Sequence, residues 1–451
     1  MKKLLVANRG EIARRIFRAC RLRGIATVAV YSEADRNAAH VAEADEAHPI
    51  GPAPARESYL VAERILEVAR RVGADAVHPG YGFLSENAAF AQQVTAQGLT
   101  WVGPAASSIV QMGDKQKARE IAQAAGVPVV PGSHASNDLA AEAEKVGFPL
   151  LVKAAAGGGG IGMRRVDRAD QLASVVESTR SMAGKAFGND TVYLERYVAQ
   201  ARHVEVQVFG FGNGDAVHLM ERDCSLQRRF QKVIEESPAP NLPAAVRNRM
   251  TEAAVDLCRA TRYAGAGTVE FIVDALTHEF FFLEMNTRIQ VEHPVTEAVT
   301  GRDLVGMQLD FAAGLLAPLR QDEIATRGHA IECRLYAENP ARMFMPSPGR
   351  LERYREPAAG PHLRIDGAYR EGDTITPYYD PMLAKLIAWG ETRDDARRCA
   401  IDALQRFEIA GIQTNRDFLI ACLRDPAYAN GQIDTGFIER RRTELLAAHT
   451  A

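Results

Sequence analysis

The stretch that most limits how this chain can fold is residues 280–294, which read FFFLEMNTRIQVEHP. It begins as an apolar run, which is typical of a buried strand. Polar residues then occupy successive even positions: Glu284, Asn286, Arg288, Gln290 and Glu292. Because side chains alternate across a strand, these would share one face for as long as the backbone stays extended.

A second strand is predicted just before this stretch, at residues 267–273. In a hairpin centred on Thr277, Glu270 lies directly opposite Glu284. Like charges in such a pair are unfavourable, and burial beside phenylalanines is worse unless a cation lies between them. A hard cation with oxygen ligands, such as Mg²⁺, resolves the conflict, and Asn286 is on the correct face to join it. The alternative is an ordinary sheet with one solvent-facing side, which the three phenylalanines and the second carboxylate argue against.

Composition places the chain among ordinary globular proteins. Its 451 residues predict about two to four domains, and 47% hydrophobic with 25% charged residues is the usual balance. A net charge of −3 gives no bias toward nucleic acid or membrane. The six cysteines form no C-x-x-C pair, which indicates reduced thiols in a cytoplasmic protein. No run reaches the roughly 18 apolar residues of a membrane span.

The first third of the chain alternates strands with helices. Strands are predicted at residues 3–7, 25–31, 76–78 and 100–102, with helices at 11–23, 57–71 and 86–97. This alternation predicts a parallel sheet covered on both faces. The first turn lacks G-x-G-x-x-G, which argues against a dinucleotide site. The turn at residues 78–87, HPGYGFLSEN, lies where such sheets bind ligands, although a plain tight turn would read the same.

A glycine-rich loop divides two predicted strands in the centre of the chain. Residues 147–166 read GFPLLVKAAAGGGGIGMRRV, without the Gly-Lys-Ser/Thr of a Walker loop. Such a loop can lay backbone N–H groups over phosphates, and Lys153 at the strand end could reach the same oxygens. A flexible linker is the alternative. Downstream, the basic segment 222–232 fits a small anionic ligand, with a solvated charged face as its alternative.

The C-terminal third begins near residue 328 with short strand signals and ends with helices at 393–407 and 415–423. The charged tail beyond Glu439 is predicted to fray. Taken together, Lys115, Lys153 with the glycine loop, and the Glu270/Glu284 pair suffice for ATP-dependent phosphoryl transfer, because that chemistry needs positioning and charge neutralisation.

On its longer motifs the chain resembles the biotin carboxylases of the ATP-grasp fold. The motifs are ANRGEI (7–12), HPGYGFLSEN (78–87), MGDK (112–115), ERDCS (221–225), EMNTRIQVEHP (284–294) and YYD (378–380), and the resemblance covers nearly the whole chain. It implies an α/β and α+β multi-domain fold. The implied parts are a Rossmann-like N-terminal domain at 1–113, an ATP-grasp domain at 114–328 with a mobile lid at about 130–202, and a mixed β/α C-terminal domain at 329–446.

The resemblance also implies the site residues, position by position. The ATP ligands would be Lys115, Lys153, Gly159, Gly160, Glu195, Arg196, Tyr197, Val198, His203, Gln227, Glu270 and Glu284. The Mg²⁺ or Mn²⁺ ligands would be Glu270, Glu284 and Asn286. Bicarbonate would bind to Lys232, Arg288, Gln290, Val291 and Glu292, and biotin to Arg334 and Tyr81. The catalytic residues would be Arg288, Glu292, Lys232 and Arg334.

In the family, Glu292 acts as the base on bicarbonate, which then attacks the γ-phosphate of ATP. The resulting carboxyphosphate breaks into carbon dioxide and phosphate, phosphate deprotonates biotin, and Arg334 stabilises the enolate-like oxygen. Elementary electrostatics agrees with this role for Glu292, because an Arg beside Glu292 would lower the pKa of that carboxyl. A mutual salt bridge between Arg288 and Glu292 is the purely structural alternative. Two positions depart from many members, Ile161 in the lid and Phe230 near the ATP side.

The partners follow from what the motifs lack. No lysine lies between two methionines, the pattern that carries biotin in this class, so biotin is expected on a separate carrier protein. Carboxyltransferase subunits and a homodimer are also expected, in acetyl-CoA carboxylase of fatty acid biosynthesis or a related acyl-CoA carboxylase. The chain is either a free-standing subunit or a fragment. The rival functions are another ATP-grasp carboxylate–amine ligase and a non-catalytic nucleotide-binding regulator.

Overall fold

The fold was analysed in a computed structural model that describes residues 1–133, 138–155 and 162–447. The strands are β1 Lys3–Val6, β2 Ala26–Ser32, β3 Glu46–Gly51, β4 Ala76–His78, β5 Thr100–Trp101, β6 Leu150–Ala154, β7 Met163–Val166, β8 Val192–Arg196, β9 Ala201–Phe211, β10 Ala216–Arg228, β11 Gln231–Ser237, β12 Ala264–Asp274, β13 Phe280–Asn286, β14 His329–Tyr336, β15 Glu338–Asn339, β16 Met345–Pro346, β17 Gly349–Arg350, β18 Arg353–Arg355, β19 Leu363–Gly367, β20 Thr374–Ile375, β21 Met382–Gly390 and β22 Glu408–Ala410.

The helices are α1 Gly10–Arg21, α2 Ala39–Glu43, α3 Ala62–Arg71, α4 Ala88–Ala96, α5 Ala106–Gly113, α6 Lys115–Ala124, α7 Leu139–Val146, α8 Leu172–Phe187, α9 Ala244–Ala260, α10 His293–Thr300, α11 Leu304–Ala312, α12 Arg393–Arg406, α13 Arg416–Arg424, α14 Pro426–Ala429 and α15 Phe437–Ala447. Short 3-10 turns lie at Glu33–Asp35, Ala55–Glu57, Ala169–Gln171, Gln321–Glu323 and Pro340–Arg342.

The N-terminal sheet is parallel, in the order β3-β2-β1-β4-β5. Chain order reverses between β1 and β4, so the carboxyl ends of these two strands frame the crevice in which such sheets bind ligands. The loops after them are joined because the Asn8 amide donates to the carbonyl oxygens of Pro79 and Tyr81, each at 2.7 Å. The predicted Rossmann-like fold is confirmed. Sequence patterning missed α2 and β3.

The largest sheet is antiparallel and runs β13-β12-β9-β10-β11-β14-β21-β19. It continues past residue 328, because β11 pairs directly with β14. A smaller sheet, β7-β6-β8, carries α7 and α8 against it and forms the region predicted as the lid. The predicted mixed fold class is confirmed. The domain limits at 1–113, 114–328 and 329–446, and the mobility of the lid, stay predictions.

The hairpin of β12 and β13 has the register predicted for a turn centred on Thr277. Glu270 pairs with Glu284 across the two strands. The register then shifts, because Phe271 pairs with Phe282 and leaves Leu283 as an extra residue. A bulge of this kind changes the face to which the following side chains point. It keeps Phe282 in the hydrophobic core while Glu284 faces the cavity described below.

Two further expectations have clear outcomes. The predicted fraying of the tail is wrong up to residue 447, because α15 extends to Ala447 and buries Leu445. Its Arg440 and Arg441 pair with Asp434 and Asp425 at 2.6 and 2.7 Å.

All six cysteines are free thiols, as their spacing predicted. Among helices in the described ranges, none is long and apolar enough to cross a membrane.

Candidate functional site

One cavity of about 930 Å³ lies between the two N-terminal loops, the β6–β7 strands and the large antiparallel sheet. Predicted site residues from all of these elements line it: Tyr81, Lys115, Lys153, His203, Gln227, Lys232, Glu270, Glu284, Asn286, Arg288, Gln290, Val291 and Arg334. Glu292 lies directly behind this lining and is fully buried. Residues that are up to 253 positions apart (81 and 334) thus converge on one space.

Three glutamates lie side by side on adjacent strands; Glu270 and Glu284 line the cavity, and Glu205 is buried beside them. Glu205 of β9 pairs with Glu270 of β12, which pairs in turn with Glu284 of β13. Burial would raise the pKa of Glu270, but Lys232 and His203 outweigh it and lower that pKa. Burial and the charge of Glu270 raise the pKa of Glu284. Neighbouring carboxyls with opposite pKa shifts are typical of functional sites.

Lys232 and His203 hold this row together. Lys232 Nζ lies 2.6 Å from Glu205, 3.0 Å from Glu270 and 2.6 Å from Glu292. Its position follows from the β10–β11 hairpin, which closes through Arg229 and Phe230. His203 Nε2 lies 2.8 Å from the second oxygen of Glu270. Burial lowers the pKa of His203, but Glu270 outweighs it, so the net shift is upward.

The acidic pair fits a divalent cation. Glu270 and Glu284 open on the same cavity, and Asn286 adds an amide oxygen at its edge. Hard cations such as Mg²⁺ prefer this all-oxygen donor set. A cation between the two carboxylates would also remove the repulsion that raises the pKa of Glu284. The Asn286 amide donates to Glu270 at 2.9 Å, and its oxygen accepts from Arg288 at 3.0 Å.

Glu284→Gln is predicted to weaken Mn²⁺ binding in the presence of ATP by about 10- to 100-fold, a loss of the size seen when a metal site loses supporting groups. Because the substitution also removes a buried like charge, the metal-free protein should melt at the same or a higher temperature. Electron paramagnetic resonance titration and thermal melts measure the two effects. Glu279→Gln, on the same hairpin but exposed, is the matched control. Unchanged Mn²⁺ affinity would contradict the assignment.

One end of the cavity, where ATP is predicted to bind, is built by α6 and by strands of the β7-β6-β8 sheet. Lys115 begins α6, and Lys153 Nζ contacts Glu195 of β8 at 2.6 Å. Burial lowers the pKa of Lys153, but Glu195 outweighs it and the net shift is upward. Arg119, which the sequence analysis did not single out, lies 3.1 Å from Glu195. A small adjoining cavity is lined by Lys115, Lys153, Glu195 and Glu284 together.

Three other predicted ATP contacts do not line the described part of either cavity: Arg196, Tyr197 and Val198. The guanidinium of Arg196 lies 3.2 Å from Glu279 and over the ring of Phe281. The ring of Tyr197 lies under Arg165. Gly159 and Gly160 lie outside the described residues, as does Ile161.

The other end of the cavity centres on Glu292, which precedes the first residue of α10. Its two oxygens lie 2.6 Å from Lys232 and 2.9 Å from Arg334. Burial would raise the pKa of Glu292, but Lys232, Arg334 and Arg222 outweigh it and lower that pKa well below its usual value. The expected lowering is therefore confirmed. Arg288 instead lies 3.1 Å from Glu86, so the structural alternative of an Arg288–Glu292 salt bridge is wrong.

The remaining predicted ligands stand around this end. The Gln290 amide donates to Glu270 at 3.0 Å and its oxygen accepts from Arg288 at 3.1 Å. The Val291 carbonyl oxygen accepts from Lys385 at 2.9 Å. Tyr81 donates its hydroxyl to Glu11, which fixes its ring at the cavity wall.

Phe230, the described departure from the family pattern, lies at the cavity mouth with 61% of its surface exposed. It is in the left-handed region at φ +67°, next to Arg229 at φ +48°. Two positive φ values in a two-residue loop form the turn that suits a tight hairpin. The backbone of the β10–β11 hairpin, which also carries Lys232, therefore sets the direction of the Phe230 side chain.

Three charged residues of the site escaped the sequence analysis: Glu205, Glu235 and Arg119. Arg222 was included only as part of the predicted basic segment 222–232. Arg222 is fully buried and joins Glu205 to Gln207 and Thr296. A signal was present for Glu205, since it shares the alternating face of His203. Its meaning depends on the pairing of β9 with β12, about 60 residues away in the chain.

Two lysines, paired carboxylates and an enclosed Lys/Arg/Glu cluster around one cavity define the class: a nucleotide-dependent phosphoryl-transfer enzyme. Family models agree over most of the chain. The biotin carboxylase N-terminal domain matches residues 1–109, the carbamoyl-phosphate synthase L chain ATP binding domain matches 114–320, and the biotin carboxylase C-terminal domain matches 332–440.

Individual relatives narrow the class. Biotin carboxylase 1 of Bacillus subtilis (strain 168) is 49% identical over 97% of this chain and 98% of its own length. The mitochondrial methylcrotonoyl-CoA carboxylase subunit alpha of Oryza sativa subsp. japonica is 51% identical, but this chain spans only 62% of it. The biotin carboxylase domain dimer of Hydrogenobacter thermophilus 2-oxoglutarate carboxylase, solved with MgADP, ADP and bicarbonate, superposes with a TM-score of 0.92, 43% identity and 98% coverage of both chains. The chain belongs to the biotin carboxylase family.

Proposed function

We propose that this chain carboxylates the ureido nitrogen of biotin, using ATP and bicarbonate, through carboxyphosphate. The observation that carries the proposal is the arrangement of one cavity with two ends. Lys115, Lys153 and the Glu270/Glu284 pair stand at a phosphate-binding end. Glu292, with Lys232 and Arg334 on its two oxygens, stands at an end suited to a small anion.

The nucleotide end needs little covalent chemistry from the protein. Lys115 and Lys153 place positive charge where phosphate oxygens enter, and His203 orients Glu270. Mg²⁺ or Mn²⁺ held by Glu270, Glu284 and Asn286 would supply the charge that neutralises the phosphates. The proposed adenine contacts at 195–198 and the contacts of Gly159, Gly160 and Gln227 complete this end.

At the anion end, Glu292 takes the proton of bicarbonate, because Lys232 and Arg334 keep its carboxylate ionised. The bicarbonate oxygen attacks the γ-phosphorus, the bond to the ADP oxygen breaks, and carboxyphosphate forms. Arg288 and Gln290 orient the anion, since a guanidinium grips a carboxylate-like group at two points. The backbone at Val291 completes the bicarbonate contacts.

Carboxyphosphate then breaks into carbon dioxide and phosphate. Phosphate accepts the proton from the ureido nitrogen of biotin, and the nitrogen attacks carbon dioxide to give carboxybiotin. Arg334 stabilises the negative charge that develops on the ureido oxygen. Tyr81, on the wall beside Arg334, borders the biotin site.

The partners belong to the same proposal. Biotin is carried by a separate carrier protein, and a carboxyltransferase consumes carboxybiotin. The named relatives serve different acceptors, methylcrotonoyl-CoA and 2-oxoglutarate. The acceptor is therefore chosen by the carboxyltransferase, and acetyl-CoA carboxylase in fatty acid biosynthesis is one candidate among several. A homodimer is supported by the dimeric relative. Cytoplasmic localisation stays a prediction.

The test measures ADP release with and without bicarbonate and biotin. We expect release that requires bicarbonate and is accelerated by free biotin. Release that needs an amine and ignores biotin would instead indicate another ATP-grasp carboxylate–amine ligase. ATP binding without turnover would indicate a nucleotide-binding regulator. Either result would overturn the proposal.

A further inference from the structure

A second pair of buried carboxyls, which the proposed reaction does not use, lies behind Arg334. Glu235 of β11 is directly opposite Glu332 of β14, and both are fully buried. Glu235 contacts Arg334 at 2.5 Å through one oxygen. Its other oxygen, and both oxygens of Glu332, have no hydrogen-bond partner among the described residues.

The charges around this pair do not balance if both carboxyls are ionised. Arg334 is shared between Glu235 and Glu292. Lys385, the next cation, is already 3.1 Å from Glu11. None of the ion pairs in the described part of the chain includes Glu332. Two buried carboxylates opposite each other, with one of them unpaired, would be strongly unfavourable, and such pairs resolve the conflict by keeping a proton.

The contacts of the pair favour Glu332 as the site of that proton, because Arg334 contacts Glu235 directly and no cation in the described part of the chain forms an ion pair with Glu332. Glu332 is faced by Lys385 from β21, Glu235 from β11, Arg334 on its own strand and Glu292 from the start of α10. Burial raises the pKa of Glu332 well above its usual value despite Lys385. The pKa of Glu235 is raised to about 7, because burial outweighs the opposing charge of Arg334. Glu332 is therefore the protonated member and Glu235 the carboxylate.

We propose that Glu235 is the positioning residue for Arg334, and that Glu332 carries the proton that allows Glu235 to stay charged beside it. Glu235 holds the Nε edge of the guanidinium, and the Nη2 group lies 2.9 Å from Glu292. The orientation of Arg334 toward the cavity is thereby fixed from behind. The proposal rests on the proposed function, because it assigns Arg334 to the biotin half of the reaction.

The main test compares two half-reactions in Glu235→Gln. We expect biotin-dependent carboxybiotin formation to fall by about 10- to 100-fold, the loss expected from misplacing a catalytic group. The KM for ATP and the slow bicarbonate-dependent ADP release without biotin should stay within about two-fold. Glu338→Gln, which removes another buried carboxyl that pairs with Arg228, is the matched control. Equal loss of both half-reactions in Glu235→Gln, or no loss, would overturn the proposal.

The proton has its own test in Glu332→Gln, whose amide resembles the protonated acid. In the wild type a rise in pH removes the proton, creates a second buried charge and lowers the biotin-dependent rate. In the variant there is no proton to lose, so this alkaline decline should move upward or vanish. An unchanged pH profile would contradict the role of Glu332.

Infrared difference spectra separate this inference from the proposed function. The wild type should show a protonated carboxyl C=O band at neutral pH that is missing in Glu332→Gln, whether or not the chain turns over biotin. If wild-type ADP release ignores biotin, the proposed function fails while this band still decides the protonation of Glu332. If the band is absent from the wild type, the inference fails while the activity stands.

Discussion

Glu292→Gln is expected to lower bicarbonate- and biotin-dependent ADP release by about 10²- to 10⁴-fold, the usual contribution of a general base. The amide cannot accept the proton that the carboxylate takes from bicarbonate. The fold should survive, because Arg334 keeps Glu235 as a partner and Lys232 keeps Glu205 and Glu270. The measurement is ADP release at saturating ATP, bicarbonate and biotin.

The sign of the pH dependence provides a second check on Glu292. Its pKa is lowered well below the usual value, so the base stays ionised as pH falls through the neutral range. If the wild-type rate falls as the pH drops to about 6, a group other than Glu292 is being protonated. The residual rate of Glu292→Gln should therefore fall with pH in the same way. ATP affinity, measured by calorimetry, should stay within about two-fold. A variant with full biotin-dependent activity would remove Glu292 from the proposed mechanism.

The register of the central hairpin could be predicted because its determinants are local. Glu270 and Glu284 are separated by a short polar turn, and their conflict of charge is visible in the sequence. The bulge at Leu283 could not be predicted, because it depends on how Phe282 packs in the core. Without it, strict alternation would place Phe282 and Glu284 on the same face.

The contacts beyond Asn286 show where strand periodicity stops being a guide. The backbone leaves β13 at Asn286 and enters α10 at His293. The alternation continues as far as Gln290, because Asn286, Arg288 and Gln290 all line the cavity. It fails at Val291, which also lines the cavity, and Arg288 and Glu292 find separate partners. Their presence in one site could be predicted from the motif, but their pairing could not.

Long-range strand order hid the rest of the site. Glu205 and Glu235 lie on β9 and β11, which are joined by β12 and β14, respectively, only when the large sheet assembles. Each residue alone resembles a charge on the solvent side of an alternating strand. Only the sheet order shows that this side is closed by α10 and that the charges are buried.

Replacement of Arg334 should separate the two halves of the proposed reaction. Arg334→Ala is expected to lower carboxybiotin formation by about 10²- to 10³-fold, the cost of losing one donor to a developing oxyanion. ATP binding should be spared, because Arg334 contacts Glu235 and Glu292 and none of the nucleotide-end residues. Trapping of labelled bicarbonate on biotin measures the first quantity, and calorimetry with ATP measures the second.

Arg334→Lys distinguishes lost chemistry from lost packing. Removing Arg334 entirely leaves two buried carboxylates short of a partner, a change that costs about 3–5 kcal/mol when an ion pair is broken. Lysine restores the positive charge but cannot reproduce the contacts that Nε and Nη2 of one planar guanidinium make with Glu235 and Glu292. We therefore expect Arg334→Lys to recover most of the thermal stability while carboxybiotin formation stays low.

Lys232 and Arg222 still face Glu292 in both variants, so its carboxyl stays ionised and bicarbonate-dependent ADP release continues. Equal loss of ATP binding and carboxybiotin formation in Arg334→Lys would contradict the role of Arg334 in the biotin half-reaction.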